Sequence, residues 1–160
     1  MRRHDKEITD QKLLEAILHK APVCRIGMAS GNIPYVVPMN FAYRDGCVYV
    51  HSAPSGRKID MIEGNNLVCL QADIMADVVK APAACHWGTR YYSVIAFGRA
   101  SIIADSVGKE KALNLLMEKY SGKTGWEYEK AMLENMVVIQ ITLESMTGKR
   151  SGYGPGELPG

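Results

Sequence analysis

The first hydrophobic pattern along the chain is helical. The apolar positions that fall on one helical face are Leu13, Leu14, Ile17 and Leu18. This spacing predicts an amphipathic helix that begins after Thr9 or Asp10 as N-cap and continues to Lys20, where the nearby Pro22 prevents further extension. The chain is therefore expected to start with one short helix that buries a single face.

Beyond this helix, apolar and polar residues alternate as they do in antiparallel strands. The predicted strands span residues 23–28, 33–43, 47–51, 67–74, 91–103 and 137–143. Pro34 and Pro38 each remove a ladder donor from the second of these strands, so it needs an edge or a ligand-facing side. Asp45-Gly46 joins the second strand to the third in a pattern typical of a tight hairpin.

Further helices are predicted between the later strands. Residues 57–63 form a short helix for which Gly64 is a suitable C-terminal stop, and a weaker helical stretch covers 126–135. Ser106 can cap a longer helix, whose apolar face consists of Leu113, Leu116, Met117 and Tyr120. This order of elements predicts a mainly β fold, a closed or nearly closed antiparallel barrel with short flanking helices.

The composition fits one domain followed by a short tail. The chain has 160 residues, of which 47% are hydrophobic and 22% are charged. That is enough for one buried core. We predict a single domain over residues 1–148 and a Gly/Pro-rich tail over residues 149–160, mobile unless a partner subunit holds it.

Charge and targeting signals narrow the function and the location. The sequence contains no signal-peptide core and no membrane-length apolar run, so we expect a cytoplasmic protein without a membrane partner. Cys24, Cys47, Cys69 and Cys85 are scattered, and we expect them to be reduced. The net charge of +2 comes from interspersed acids and bases. This disfavours a nucleic-acid partner and favours a small-molecule ligand.

The segment with the clearest chemistry is Val50-His-Ser-Ala-Pro-Ser-Gly-Arg-Lys-Ile-Asp60, in which a strand end, a small-residue loop and a helix start follow one another. Such a loop lets backbone N–H groups approach an oxyanion, and the helix N-terminus adds partial positive charge. Arg57 and Lys58 can add charge-assisted hydrogen bonds to a terminal phosphate. The alternative is a solvated basic pair. The helix dipole disfavours two cations at an N-terminus, so a bound anion explains them better.

Three other motifs do not support phosphate or metal binding. The Gly-Lys-Thr run at 122–124 resembles the end of a P-loop, but Met117 occupies the position of that motif's first glycine. The glycines within 152–156 lack the spacing of a dinucleotide fingerprint, and no helix follows them. Cys85-His86 has no second Cys or His pair at ligand spacing, so we expect no metal site.

Two aromatic features are open to more than one interpretation. His51 is either a hydrogen-bonded histidine at a strand end or a residue beside the ligand. Trp87, Tyr91 and Tyr92 are packing or dimer-interface residues, or they form a wall that contacts a cofactor. In either case His51 directly precedes the anion loop.

Five segments spread over most of the chain form a combined motif. They are Cys-Arg-Ile-Gly-Met at 24–28, Ile-Pro-Tyr-Val-Val-Pro-Met-Asn-Phe at 33–41, His-Ser-Ala-Pro-Ser-Gly-Arg-Lys at 51–58, Tyr-Ser-Val-Ile-Ala-Phe-Gly-Arg at 92–99 and Met-Thr-Gly-Lys at 146–149. Together they resemble the pyridoxamine 5′-phosphate oxidase-like superfamily of FMN-binding split barrels, and more closely its nitroimidazole-resistance branch. The resemblance implies a split β-barrel with flavin mononucleotide (FMN) as cofactor.

The resemblance also implies contacts with three parts of FMN, made by these residues: the phosphate by Arg57 and Lys58; the ribityl chain and ring edge by His51, Ser52 and Ala53; the isoalloxazine by backbone groups of Pro38, Met39, Asn40 and Phe41. Ser93 matches a family position that reaches FMN from the other subunit. A homodimer with FMN at the subunit interface is therefore expected.

Two departures from the oxidase family bear on the reaction. Asn40 stands where that family has a cationic residue, and the tail from Gly148 onward lacks its C-terminal arginine motif. The resemblance therefore favours an FMN-dependent oxidoreductase that reduces a small acceptor such as a nitroaromatic. The alternatives are an FMN storage or electron-relay protein, a pyridoxamine-phosphate-oxidase-like enzyme, or a cleft that holds haem or a deazaflavin. No catalytic residue is assigned, and His51 is the candidate.

Overall fold

The computed structural model describes residues 3–154, except for the side chains of Met75 and Ala76. The strands are β1 (Glu7–Ile8), β2 (Cys24–Ser30), β3 (Ile33–Met39), β4 (Ala42–Arg44), β5 (Cys47–Ser52), β6 (Leu67–Val79), β7 (Gly88–Ile103) and β8 (Val137–Ser151). The helices are α1 (Gln11–Lys20), α2 (Arg57–Gly64), α3 (Ser106–Ser121) and α4 (Lys130–Glu134). Short 3-10 turns lie at His4–Lys6 and Ala84–His86.

The strands form one antiparallel sheet with the order β3-β2-β6-β7-β8-β5-β4, and β1 pairs with β8. β3 and β4 follow each other along the chain but lie at opposite ends of this order, and they are not paired in the described part of the chain. The sheet therefore curls around the core without closing. The mainly β prediction, an antiparallel split barrel with short flanking helices, is confirmed.

The main core lies inside the curled sheet and is covered at one side by α1. β7 contributes Tyr92, Val94 and Ala96, while α1 contributes Ile17 and Leu18, and all five are fully buried. Asp10 caps α1, because its side chain accepts a hydrogen bond from the Lys12 amide. A second, smaller apolar cluster lies beneath α3 and α4, with the members Ala42, Ala112, Leu113, Leu116, Leu133 and Val138.

The proline-containing strand is shorter than predicted. β3 ends at Met39, and the chain resumes as β4 only at Ala42, so 33–43 is not one strand. Tyr120 of α3 explains the break: its hydroxyl accepts a hydrogen bond from the Phe41 amide at 3.0 Å and donates to the Pro22 carbonyl at 2.8 Å. β3 is at an edge of the sheet, as its prolines require.

The three long strands extend further than predicted. β6 continues to Val79, β7 begins at Gly88, and β8 runs to Ser151. The reason is mutual pairing, because β7 is hydrogen-bonded to β6 on one side and to β8 on the other over most of its length. Residues 149–151, predicted to belong to the tail, are therefore strand residues. The rest of the predicted tail after Gly154 lies outside the described residues.

Two helix boundaries also differ. Asp105, not Ser106, caps α3, because its carboxylate reaches the Gly108 amide at 2.7 Å and is favoured by the helix dipole. Gly64 is the last helical residue of α2, and the C-cap is Asn65, whose backbone is extended.

The weak helical stretch predicted at 126–135 is mostly irregular. Only Lys130–Glu134 is helical. Gly122 ends α3 in the left-handed conformation, and Gly125 also has a left-handed φ of 76°, so no helix continues from α3 into this stretch. The preceding irregular segment leaves space between α3 and α4.

Lys119 of α3 lies under the break between β3 and β4. Its ammonium donates to the Leu18 carbonyl at 3.0 Å and sits 3.4 Å from the centroid of the Phe41 ring. Burial lowers the pKa of Lys119 to about 8. His19, Arg44 and Glu118 line the same small cavity of about 240 Å³.

Replacing Lys119 by Met tests this burial. The pKa is lower in the folded chain, so below about pH 8 both states carry the proton and the desolvation cost is fully present. At higher pH the folded chain loses this proton while the unfolded chain keeps it, so the free energy of unfolding rises. Between about pH 7 and pH 10, the free energy of unfolding of the wild type should rise by about 1 kcal/mol relative to that of Lys119→Met. This expected rise is smaller than that for a fully buried lysine, because the side chain is partly exposed to solvent. Urea unfolding of both proteins measures this, and parallel pH profiles would contradict it.

Candidate functional site

The loop before α2 is built for a close approach to its backbone. Gly56, the N-cap of α2, has a φ of 122°, a conformation that side-chain-bearing residues rarely adopt. No side chain caps the helix at this residue. α2 therefore begins with uncapped backbone and with Arg57 and Lys58 as its first two residues, an arrangement that suits an anion.

Both cations rest on side chains of β3. The Arg57 guanidinium lies 4.6 Å from the centroid of the Tyr35 ring, and the Lys58 ammonium donates to the Met39 sulfur at 3.3 Å. A thioether is a weak acceptor, and this contact takes only one of the three ammonium donors. Partial burial lowers the pKa of Lys58. The structure thus joins the predicted anion loop to the predicted isoalloxazine segment.

Four of the predicted site residues meet at a cleft of about 820 Å³. They are Asn40, His51, Ser52 and Ala53. The rest of the lining comes from α3 and from the segment around α4: Leu113, Leu116, Met117, Tyr120, Tyr128, Glu129, Ala131, Met132, Asn135 and Met136. We call this space the α3–α4 cleft. Its volume lies within the usual range of small-molecule sites.

The remaining predicted residues lie elsewhere. Pro38 is exposed on β3, and Phe41 is buried with its amide bonded to Tyr120. Ser93 lies on β7, paired with Asp73 of β6 and Lys149 of β8, and it does not line the α3–α4 cleft. Within one subunit, Ser93 is therefore not brought to the other site residues.

The sequence pattern predicts the helical face of α3 with Met117 and Tyr120 but not its contribution to the cleft, because a helical pattern does not distinguish a face that packs from one that lines a cleft. Met132 and Met136 are four residues apart, a spacing that places them on one side of a helix and is a signal for the contribution of α4. This signal is weak because the chain before α4 is irregular and the helix is short.

The other sequence motifs acquire plain structural roles. Gly122, in the left-handed conformation, ends α3, so the Gly-Lys-Thr run follows a helix where a P-loop must precede one. Trp87 is exposed, and its indole N–H donates to the Ala81 carbonyl at 2.7 Å. Tyr92 is buried and stacks on Tyr153. The four cysteines are free thiols.

Residues 3–154 offer neither a candidate metal site nor a candidate membrane-spanning helix. Their His, Cys, Asp and Glu side chains include no group of three arranged to hold a metal ion. None of the described helices is both long and apolar enough to cross a membrane.

Comparison with known proteins identifies relatives of this fold. A candidate 5-nitroimidazole antibiotic resistance protein from Bacteroides thetaiotaomicron is 33% identical, with a TM-score of 0.80 over 90% of this chain and 86% of that one. The flavocytochrome Anf3 from Azotobacter vinelandii is 24% identical, with a TM-score of 0.81 over 97% of this chain and 73% of that one. The FAD and heme binding protein from Mycobacterium smegmatis is 16% identical, with a TM-score of 0.82 over 96% and 77% of the two chains.

The last two relatives share the fold alone. No curated protein sequence matches the chain at a significant level. The model of the family described as pyridoxamine 5′-phosphate oxidase matches residues 10–150, nearly the whole described chain. The similarity to the Bacteroides relative in sequence and fold supports this family assignment. The chain therefore belongs to the pyridoxamine 5′-phosphate oxidase family.

Proposed function

We propose that this protein is a flavoprotein that binds FMN at the interface of a homodimer and uses it to reduce a small acceptor such as a nitroaromatic. The observation that carries the proposal is the joining of a cationic, uncapped helix start to the α3–α4 cleft through the short segment 51–58. Two relatives support it, because one is a flavocytochrome and the other an FAD and heme binding protein. The 33% sequence identity with the Bacteroides resistance protein supports the choice of acceptor.

The cation pair suits FMN in particular. A terminal phosphate ends the ribityl chain of FMN, and two adjacent cations at a helix N-terminus match its charge. Arg57 and Lys58 would hold this phosphate, with His51, Ser52 and Ala53 along the chain and ring edge. Bound FMN supplies the electron-transfer chemistry, while the protein binds and orients it.

The outer face of the sheet supports the homodimer. Alternation along β7 places Ser93, Ile95 and Phe97 on the same face, and Ile95 and Phe97 are 44% and 48% exposed. Val36 of β3 is 61% exposed, and its partner Gly27 pairs in turn with Cys69, the neighbour of Phe97. A second copy covering this apolar face would bring its own Ser93 to a flavin.

The ultraviolet-visible spectrum of the purified protein, with and without added FMN, tests the cofactor. We expect flavin absorption at about one FMN per subunit, because each subunit offers one phosphate site. Calorimetric titration of the apoprotein gives the affinity. A haem absorption band, or no FMN binding, would contradict the proposal. Reductant-dependent turnover of a nitroaromatic then separates a reductase from a storage or relay protein.

His51→Ala tests whether the imidazole takes part in the reaction. His51 is exposed at the end of β5 and lines the cleft, so its removal should not affect folding. If it donates a proton to the reduced acceptor, FMN affinity stays within about tenfold while turnover falls about a hundredfold. Wild-type turnover in the FMN-loaded variant would rule this role out. A loss of thermal stability would indicate a structural histidine.

A further inference from the structure

We propose that the α3–α4 cleft is the pocket for the electron acceptor, and that Glu129 makes it select neutral or cationic aromatic molecules over anionic ones. This inference rests on the proposed function, and it assigns the acceptor to residues outside the predicted flavin contacts. Asn40, His51, Ser52 and Ala53 line the same cleft, so an acceptor bound there would lie beside the residues assigned to the flavin ring edge.

The walls of the cleft suit a flat apolar molecule. Met117, Met132 and Met136 supply thioethers, which are polarizable and make favourable contacts with aromatic rings. Tyr128 also lines the cleft, and its hydroxyl is bound to the Asn114 side chain at 3.1 Å. Tyr120 likewise uses its hydroxyl on the Pro22 carbonyl. Both tyrosines therefore offer ring surface to a ligand.

The charges around the cleft disfavour an anion. Among the residues that line it, Glu129 has the one carboxylate. None of the three lysines of α3 lines the cleft: Lys109 donates to the Leu133 carbonyl, Lys119 donates to the Leu18 carbonyl, and Lys111 is exposed. Arg57 and Lys58 do not line the cleft. A carboxylate or phosphate in this apolar space would meet Glu129, and the residues that line the cleft include no Lys or Arg to compensate its charge.

Direct binding is measured with the methionine methyl groups labelled with carbon-13. 4-Nitrobenzyl alcohol and 4-nitrobenzoate have the same ring and differ in charge. We expect the alcohol to shift the methyl resonances of Met117, Met132 and Met136 in the FMN-loaded protein, and the benzoate to bind at least about tenfold more weakly. Met→Leu variants assign the resonances. Equal binding of both probes, or no shift at these methyls, would overturn the proposal.

The selectivity is tested by Glu129→Lys. The Glu129 side chain is exposed and does not cap α4, so the substitution should fold. We expect benzoate binding to strengthen at least about tenfold while alcohol binding changes by no more than about twofold. Glu134→Lys is the matched control, because Glu134 has the same charge at the other end of α4 but does not line the cleft. The same change in both variants would overturn the role of Glu129.

A substitution that fills the cleft distinguishes binding of the acceptor from binding of FMN. Ala131→Trp places an indole in the cleft, while the control Lys130→Trp lies at a side chain that is 91% exposed. Ala131→Trp should abolish the alcohol-induced shifts and leave the FMN dissociation constant unchanged. Loss of FMN binding as well would mean that the flavin itself fills the cleft, which overturns the proposal. If wild-type protein lacks FMN but its apo form still selects the alcohol, the proposed function fails and the pocket assignment stands.

Discussion

Replacing Arg57 and Lys58 together by alanine is expected to weaken FMN binding by at least about 3 kcal/mol, a factor of more than a hundred. Each charge-assisted hydrogen bond to a phosphate contributes about 1.5–3 kcal/mol, and the double variant removes two cations from one phosphate site. The uncapped start of α2 keeps its backbone donors, so some affinity should remain.

The double variant should still fold. Arg57 is exposed over the Tyr35 ring, and Lys58 is only partly buried beside Met39, so neither is a core residue. Lys111 and Lys123 are exposed cations outside the proposed site, and their double alanine variant is the matched control for lost charge. Isothermal calorimetry on the apoproteins gives the affinities, and thermal unfolding checks the fold.

Riboflavin makes the test specific, because it has the same ring system as FMN but no phosphate. The variant should bind riboflavin as the wild type does, while its preference for FMN over riboflavin falls by more than about a hundredfold. An unchanged FMN affinity would leave Arg57 and Lys58 as a solvated basic pair. An equal loss of both ligands would indicate that the variant disrupts the ring site and not a phosphate site.

The loop before α2 and the start of this helix could be predicted from the sequence because their signals are local. A strand end, small residues, Gly56 and two cations follow one another, and α2 begins at Arg57 as predicted. The hairpin at Asp45-Gly46 was predictable for the same reason, and both residues have positive φ values. Where a few neighbouring residues determine the backbone, the pattern is sufficient.

The cleft could not be predicted because distant segments build it. α3 and α4 meet β5 only in the folded chain, and the hydroxyl of Tyr120, far along the sequence, breaks the strand at Phe41. The extent of β8 also depends on a partner strand: residues 147–151 include no apolar side chain, yet β7 pairs with them. Such boundaries follow from tertiary hydrogen bonding and not from local propensity.

The same difficulty applies to Ser93, whose expected role needs a second subunit. Along β7 the residues of one parity face the core and those of the other face outward. Alternation alone predicts that Ile95 and Phe97 share the face of Ser93. The surface that covers this face belongs to a second chain, so the alternation pattern of one chain does not predict it. A substitution on this face therefore tests both the dimer and the shared site.

Replacing Ile95 and Phe97 together by aspartate is expected to give a monomer that binds FMN at least about tenfold more weakly. Two carboxylates on an apolar contact face cost more desolvation than a weak dimer can offset. Both side chains are about half exposed in the single subunit, and the backbone pairing of β7 with β6 and β8 does not depend on them, so the subunit should fold. FMN affinity falls because the partner's contribution through Ser93 is lost.

Light scattering during size-exclusion chromatography measures the mass of the wild type and the variant, and calorimetry measures FMN binding. The wild type should have about twice the subunit mass of 17.6 kDa, and the variant should have the subunit mass. Val107→Asp is the control, because Val107 is an apolar residue that is 61% exposed but lies on α3 and not on β7. It should remain dimeric and bind FMN normally. A dimeric double variant would place the interface elsewhere, and a monomer with wild-type FMN affinity would show that each subunit holds a complete site.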